Sequence, residues 1–200
     1  MIYTIGHSNH PAERFTGLLR QHGVAAIADV RSTPYSRFNP QVNRKTLAAS
    51  LRDAGIHYVF LGDELGARSK DPACYDAGRV SYAKLAQSDL FRSGLERVLS
   101  GMREHRIALM CAEREPLECH RTILISRELE RAAVPVTHIL HDGSLETHAQ
   151  AMERLICELE LRADDLFRSP AELFDEAYEA QAAKVAYVRD DTRKDDTPRR

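Results

Sequence analysis

Residues 107–140 read IALMCAEREPLECHRTILISRELERAAVPVTHIL, and the fold is decided there. The opening six residues form an apolar run without alternation, the pattern of a strand covered on both faces. Residues 117–133 follow at helical period, and residues 136–140 (VTHIL) make another short β-branched run. Strand, helix and strand in that order ask for two parallel strands joined by a crossover helix.

The same alternation runs through the chain upstream. Residues 2–5 (IYTI), 25–30 (AAIADV) and 57–61 (HYVFL) are strand candidates. Between them, residues 11–22 place Phe15, Leu18 and Leu19 at helical spacing, with Asn9 as a cap candidate, Pro11 in the first turn and Gly23 at the end. Residues 43–54 form a second helix closed by Gly55. Residues 31–41 hold two prolines and read as an ordered loop, while 62–80 make a polar, glycine-rich connection longer than packing asks for. Helices are expected at 82–87, 91–105 and 143–161. The expected fold is a single α/β domain over 1–161, a mostly parallel, doubly wound (Rossmann-like) sheet of about five strands with helices on both faces. A charged helical extension at 162–188 and a disordered tail at 189–200 (RDDTRKDDTPRR) complete the expectation.

An apolar content of 43% in 200 residues supplies a core for one domain. The net charge of −2 exerts no global pull toward nucleic acid or anionic lipid, so anion binding needs a local patch. Long duplex DNA bound without help is disfavoured on that ground, and a free nucleotide or short single strand is easier to accommodate. The four cysteines make no regular framework, the amino terminus lacks a signal-peptide pattern, and no run approaches bilayer length. A cytoplasmic protein with reduced thiols and no membrane partner is the expectation. Oligomeric state is not encoded in any of these features.

In open α/β sheets, ligands sit outside the carboxyl ends of the strands. That rule gathers His7 and Ser8 after the first strand, then Asp29, Arg31, Ser36 and Arg37 after the second. It adds Glu64 after the third, and Cys111, Glu113, Cys119, His120 and Arg121 after the fourth. Arginine forks match phosphate and carboxylate, so Arg31, Arg37 and Arg121 are candidate anion ligands, with Tyr35 and Phe38 as stacking surfaces. Ser8, Asp29, Ser36 and His120 join them as binding candidates. Glu64 and Glu113 are the candidate acid–base pair, with Cys111 or His7 near the reacting centre.

The segment CAEREPLECHR (111–121) leaves three readings open. Cys111, at a strand end, is a nucleophile with Arg121 binding the anion; Cys119, in the first turn of the next helix beside arginine, sits where a thiolate is favoured. Alternatively Cys111, Cys119 and His120, with His7, bind zinc, although C-x7-C-H matches no standard zinc spacing. In the third reading Glu113 is a general acid or base paired with Glu64, and against all three stands Cys111 as a small buried hydrophobe. A cysteine-phosphatase loop needs arginine six residues after the cysteine, and Leu117 stands there.

Four segments carry a family resemblance: TIGHS at 4–8, DVRSxPxSRFNP at 29–40, LGxELG at 61–66 and LMCAExxPxxCHR at 109–121. On these the chain resembles the domain of unknown function 488 family, over roughly residues 1–150. The resemblance implies a cytoplasmic α/β protein of bacterial type, and a shared site at His7, Asp29, Arg31, Pro34, Ser36, Arg37, Glu64, Cys111, Glu113, Cys119, His120 and Arg121. It assigns no chemistry. Asp63 departs from the glycine expected in the third segment. The functional expectation is an enzyme that hydrolyses a small phosphorylated, nucleotide-like or nucleic-acid-end substrate, or transfers a group from it. The rival is a nucleotide- or nucleic-acid-binding module with a cysteine-based redox or metal switch.

Overall fold

The computed structural model describes residues 1–161 and 169–189. In chain order, β1 (Ile2–Gly6) leads through α1 (Ala12–Gln21) to β2 (Ala26–Asp29), and α2 (Arg44–Asp53) carries the chain to β3 (His57–Phe60). Next come a short α3 (Gly62–Leu65), a hairpin of β4 (Tyr75–Asp76) and β5 (Arg79–Val80), and helices α4 (Tyr82–Gln87) and α5 (Asp89–Gly101). After β6 (Ile107–Cys111), a π-helical turn (Arg121–Ser126) runs into α6 (Arg127–Arg131). Then follow β7 (Val136–Ile139), β8 (Leu145–Thr147), α7 (His148–Glu158) and α8 (Pro170–Val185).

The main sheet has the order β3-β2-β6-β1-β7-β8. Its first five strands are parallel and are the five expected from the apolar runs; β8 pairs antiparallel with β7. Along β6, Ile107, Leu109 and Cys111 enter one core with Phe91, Val98, Leu129 and Met152. Ala108 and Met110 enter the other, with Phe15, Leu18, Leu47 and Leu51. Successive strand side chains point to opposite faces, so a strand with helices on both sides is apolar throughout.

Three stretches differ from the sequence expectation. The helix expected at 117–133 is broken into a 3-10 turn (Pro116–Glu118), extended Cys119, the π-helical turn and only then α6. Within it, the Ser126 hydroxyl donates to the Arg121 carbonyl at 2.8 Å, holding the wider π ring. The helix expected from 143 starts at His148, because Gly143 adopts φ 99° and turns the chain back as β8 first. Thr147 then caps α7 in a capping box with Gln150. The long connection at 62–80 is not irregular: Ala77 and Gly78 both take positive φ and close the β4–β5 hairpin. Asn9 caps nothing; Pro11 occupies the N-cap position of α1 without a side-chain bond.

From β1 the chain runs through α1, on one face, to β2; from β6 it runs through α6, on the other face, to β7. Two neighbouring strands whose connections leave in opposite directions open a crevice at their carboxyl ends. The ladder between them continues past the strands, with His7 N–H donating to the Cys111 carbonyl at 2.9 Å and Ser8 N–H to the Ala112 carbonyl at 3.0 Å. Gly6 permits this approach, since a Cβ there would lie 1.8 Å from the Glu113 carbonyl oxygen.

Within the expected extension, α8 buries Leu173, Ala177 and Tyr178, and the Gln181 side chain donates to the Leu117 carbonyl at 2.9 Å. Residues 162–168 of that extension and 190–200 of the expected tail lie outside the described residues. Among the described residues, no helix is long and apolar enough to cross a membrane.

Candidate functional site

The loop after β6 is shaped by two local devices. Glu115 accepts from the Leu117 N–H at 3.2 Å and starts the Pro116–Glu118 turn. Cys119 is then extended (φ −135°, ψ 141°), whereas His120 is helical (φ −59°, ψ −24°). In a continuous strand, adjacent side chains would face opposite ways. The break in backbone conformation between these two residues lets both face Cys111.

His120 Nδ1 lies 3.6 Å from Cys111 Sγ and 3.7 Å from Cys119 Sγ, while its Nε2 donates to the Val30 carbonyl at 3.1 Å. All three side chains are buried. Cys119 Sγ also stands 3.0 Å from Glu113 Oε2 and accepts the Arg121 backbone N–H at 3.4 Å. Burial pushes the Cys111 thiol up, and its neighbour Cys119 adds to the shift. Burial opposes ionisation of Cys119 as well, but hydrogen bonding from Cys111 and the charges of Arg121 and His120 outweigh it, so its thiol is held low. Burial and the Cys119 sulfur hold the Glu113 carboxyl up.

Arg31 is anchored rather than free. Asp29, fully buried, takes its Nε at 2.8 Å and Nη2 at 2.6 Å, and the Val42 carbonyl takes Nη2 at 2.9 Å. Tyr58 donates to the same carboxylate at 2.7 Å. His7 Nδ1 donates to the Ser8 carbonyl at 2.8 Å, which leaves Nε2 to accept from Arg31 Nη1 at 3.0 Å. Burial first, and Arg31 next, hold the His7 pKa down at about 4. Four of the five Arg31 N–H groups are thus engaged, and one remains.

These groups surround a cavity of about 210 Å3 lined by Arg31, Cys111, Glu113, Cys119 and His120. Of the residues expected from the strand-end rule, the structure brings these together and sets Asp29 and His7 behind Arg31. Arg121 is fully buried next to them, with Nη1 donating to the Glu113 carbonyl at 2.8 Å and Nε and Nη2 without hydrogen-bond partners among the described residues. Glu64 pairs with Arg97 and lines a separate, larger recess of about 910 Å3, which shares Ser32 and Arg68 with the cavity. Arg37 stacks on Phe38, and Ser36 accepts the Asn39 N–H at 3.0 Å within its own loop. Ser8 sits at φ 48° and bonds to Asn9.

Sequence reasoning missed several wall residues. Tyr82, at the start of α4, has a buried hydroxyl without a hydrogen-bond partner among the described residues, close enough to Cys119, Cys111 and Glu113 to feel their charge. Burial keeps that phenol protonated. Arg68 stacks 4.7 Å over the Tyr187 ring and has no carboxylate partner among the described residues; with Tyr187 and Val185 it completes the wall. None of these follows a sheet strand directly, so the strand-end rule does not reach them. The serine at 81, which caps α4 and thereby orients Tyr82, was the available signal.

Fold and site together define a doubly wound α/β protein with a polar cavity at the switch point of its sheet. The chain belongs to the family described as domain of unknown function DUF488, whose model matches residues 11–127. That match spans Arg31, Cys111, Glu113, Cys119 and His120. No curated protein matches the chain. Among solved structures, it is similar to a DUF442 protein of Shewanella putrefaciens CN-32, at 14% identity over 90% of this chain and 87% of that one, with a TM-score of 0.37. A likeness of that size carries no statement about activity.

Proposed function

We propose that the chain is an enzyme that hydrolyses a small anionic molecule held in the strand-end cavity, or transfers a group from it. The observation that carries this reading is the Tyr82 hydroxyl, buried and unpartnered in the same wall as Glu113, Cys119 and His120. Buried polar groups are normally hydrogen-bonded, and a lone donor at a cavity is explained by a ligand that completes it. Arg68 and the remaining N–H of Arg31 supply positive character. Glu113, with its exchangeable proton, supplies acid–base chemistry, and the sulfur–imidazole cluster marks the reacting centre. A cavity of about 210 Å3 is smaller than the ~300–1,000 Å3 of ordinary ligand sites. It fits a phosphate-sized group, with the rest of a nucleotide or a strand end extending into the adjoining recess. The four cysteines are free thiols, which suits a reducing compartment such as the cytoplasm.

The first test is a thermal-shift screen of wild type, Tyr82→Phe and Arg68→Ala against phosphate monoesters, nucleotides, nucleosides and short single strands. A ligand at 100 times its dissociation constant stabilises by about 2.7 kcal/mol, and the variants should lose most of that gain. Turnover of the ligand so found should fall roughly 10²–10⁴-fold in Glu113→Gln. If no anion stabilises the wild type, the reading is wrong. A second reading, a nucleotide-binding sensor with a thiol switch, is favoured by the Cys111 and Cys119 sulfurs lying within 4.8 Å of each other. Ligand binding without turnover, together with altered affinity on oxidation, would select it.

A further inference from the structure

We propose that Cys111 Sγ, Cys119 Sγ and His120 Nδ1 bind a zinc ion whose fourth coordination position opens on the cavity. Among the described residues, these are the three donor atoms of histidine, cysteine or carboxylate side chains gathered within 4.8 Å of one another. Zinc takes Cys sulfur at about 2.3 Å and His nitrogen at about 2.0–2.1 Å in tetrahedral geometry, which sets sulfur–nitrogen edges of about 3.5 Å. The observed separations are 3.6 and 3.7 Å. A thiol–imidazole hydrogen bond accounts for one such contact, because Nδ1 has one lone pair or one proton to share. Two near-equal contacts from one nitrogen to two sulfurs are the arrangement around a central ion.

The surroundings agree. A histidine that ligates a metal usually donates its other N–H to a carbonyl or carboxylate, and His120 Nε2 donates to Val30. The Arg121 N–H reaches Cys119 Sγ as an outer-shell donor to a thiolate. Two thiolates, a neutral imidazole and a divalent ion sum to zero charge, which lowers the cost of burying the set. On binding, both sulfurs coordinate as thiolates and Nδ1 contributes its lone pair, and the protons that the ion displaces leave for solvent. Thiolate softness selects zinc over magnesium or calcium. Adjacent Cys119 and His120 can share one ion because the backbone changes from extended to helical between them.

Binding of the ion stands on this geometry alone, whereas its use rests on the enzymatic reading above. Three protein ligands and one open position are the arrangement of catalytic rather than structural zinc. Glu113, beside Cys119 and in the cavity wall, stands next to whatever occupies that position.

The test is metal analysis of the untagged full-length chain purified without chelator, with about one zinc per chain expected. Replacement by cobalt(II) in the wild type should give sulfur-to-cobalt charge-transfer absorption and the strong visible bands of a tetrahedral site. Cys119→Ser and His120→Ala should lose the metal, and Cys157→Ser, on the exposed part of α7, should keep it. Should the site variants fail to fold, the wild-type cobalt spectrum decides alone. A wild-type chain that carries no zinc and develops no cobalt–thiolate absorption overturns the proposal. Zinc without turnover of any anion leaves the site standing and removes the enzymatic reading; turnover by a wild-type chain that carries no zinc and takes up no cobalt leaves the enzymatic reading and removes the site.

Discussion

Asp29 and Arg31 sit two positions apart at the end of β2, with the carboxylate fully buried and the guanidinium nearly so. A buried ion pair adds little over an apolar pair, but removing one partner strands the other charge. Asp29→Asn should therefore cost about 3–5 kcal/mol, read as a lower denaturant midpoint. A second residue-scale effect concerns pH. Burial, and Arg31 after it, hold His7 at about 4, and burial holds His148 at about 4, against about 6.5 in an unfolded chain. Above about pH 6.5 both states leave these rings neutral. As pH falls from there toward about 4, the unfolded chain binds protons that the native chain refuses, so stability falls with pH. Each ring contributes a loss on the order of 3 kcal/mol across that window. Denaturation midpoints that stay level between about pH 7 and about pH 4.5 would contradict this assignment. His148 belongs to a buried chain from Thr4 through His138 (2.8 Å), His148 (3.0 Å) and Tyr178 (2.6 Å), which needs a single proton on each imidazole.

Among the elements, the end of β1 has the least room. Gly6→Ala would force its Cβ against the Glu113 carbonyl, and the Glu113 loop must move. The expected loss is about 1–3 kcal/mol, with a melting temperature lower by about 2–4 °C for each of them. Glu113→Gln should keep the wild-type melting temperature to within a few degrees, separating fold from chemistry. Four of the five parallel strands were legible because burial on both faces leaves continuous apolar runs such as AAIADV and IALMCA, whereas β3, a partly exposed edge strand, was read from its short run of aromatic and β-branched residues (HYVFL). β8 was not, since three half-exposed residues carry no periodicity. The broken helix after β6 escaped for another reason. Its residues suit a helix one by one, and the break is set by the turn at Pro116 and by side chains reaching back, Glu115 to Leu117 N–H and Ser126 to Arg121.

At the scale of the molecule, the cavity is shared between the sheet and a distant part of the chain. Cys111, Glu113 and His120 were found from sequence because a doubly wound sheet puts strand ends at one edge. Val185 and Tyr187 were not, because helical period shows that α8 has an apolar side without showing what it covers. Their place follows from Leu173, Ala177 and Tyr178 docking in the core and Gln181 holding Leu117. A chain cut after Leu161 should lose that wall. Alkylation of Cys111 and Cys119, followed by mass spectrometry, should be many-fold faster than in the full chain, with exposed Cys157 as reference. Equal rates would show that α8 does not cover the thiols.

The wall formed by Val185 and Tyr187 also fixes an order of events on the ribosome. Synthesis delivers the strands, both sulfurs and the imidazole before it delivers the helix that roofs them. Until Val185 and Tyr187 have been made, the two sulfurs lack the part of the wall that these residues supply.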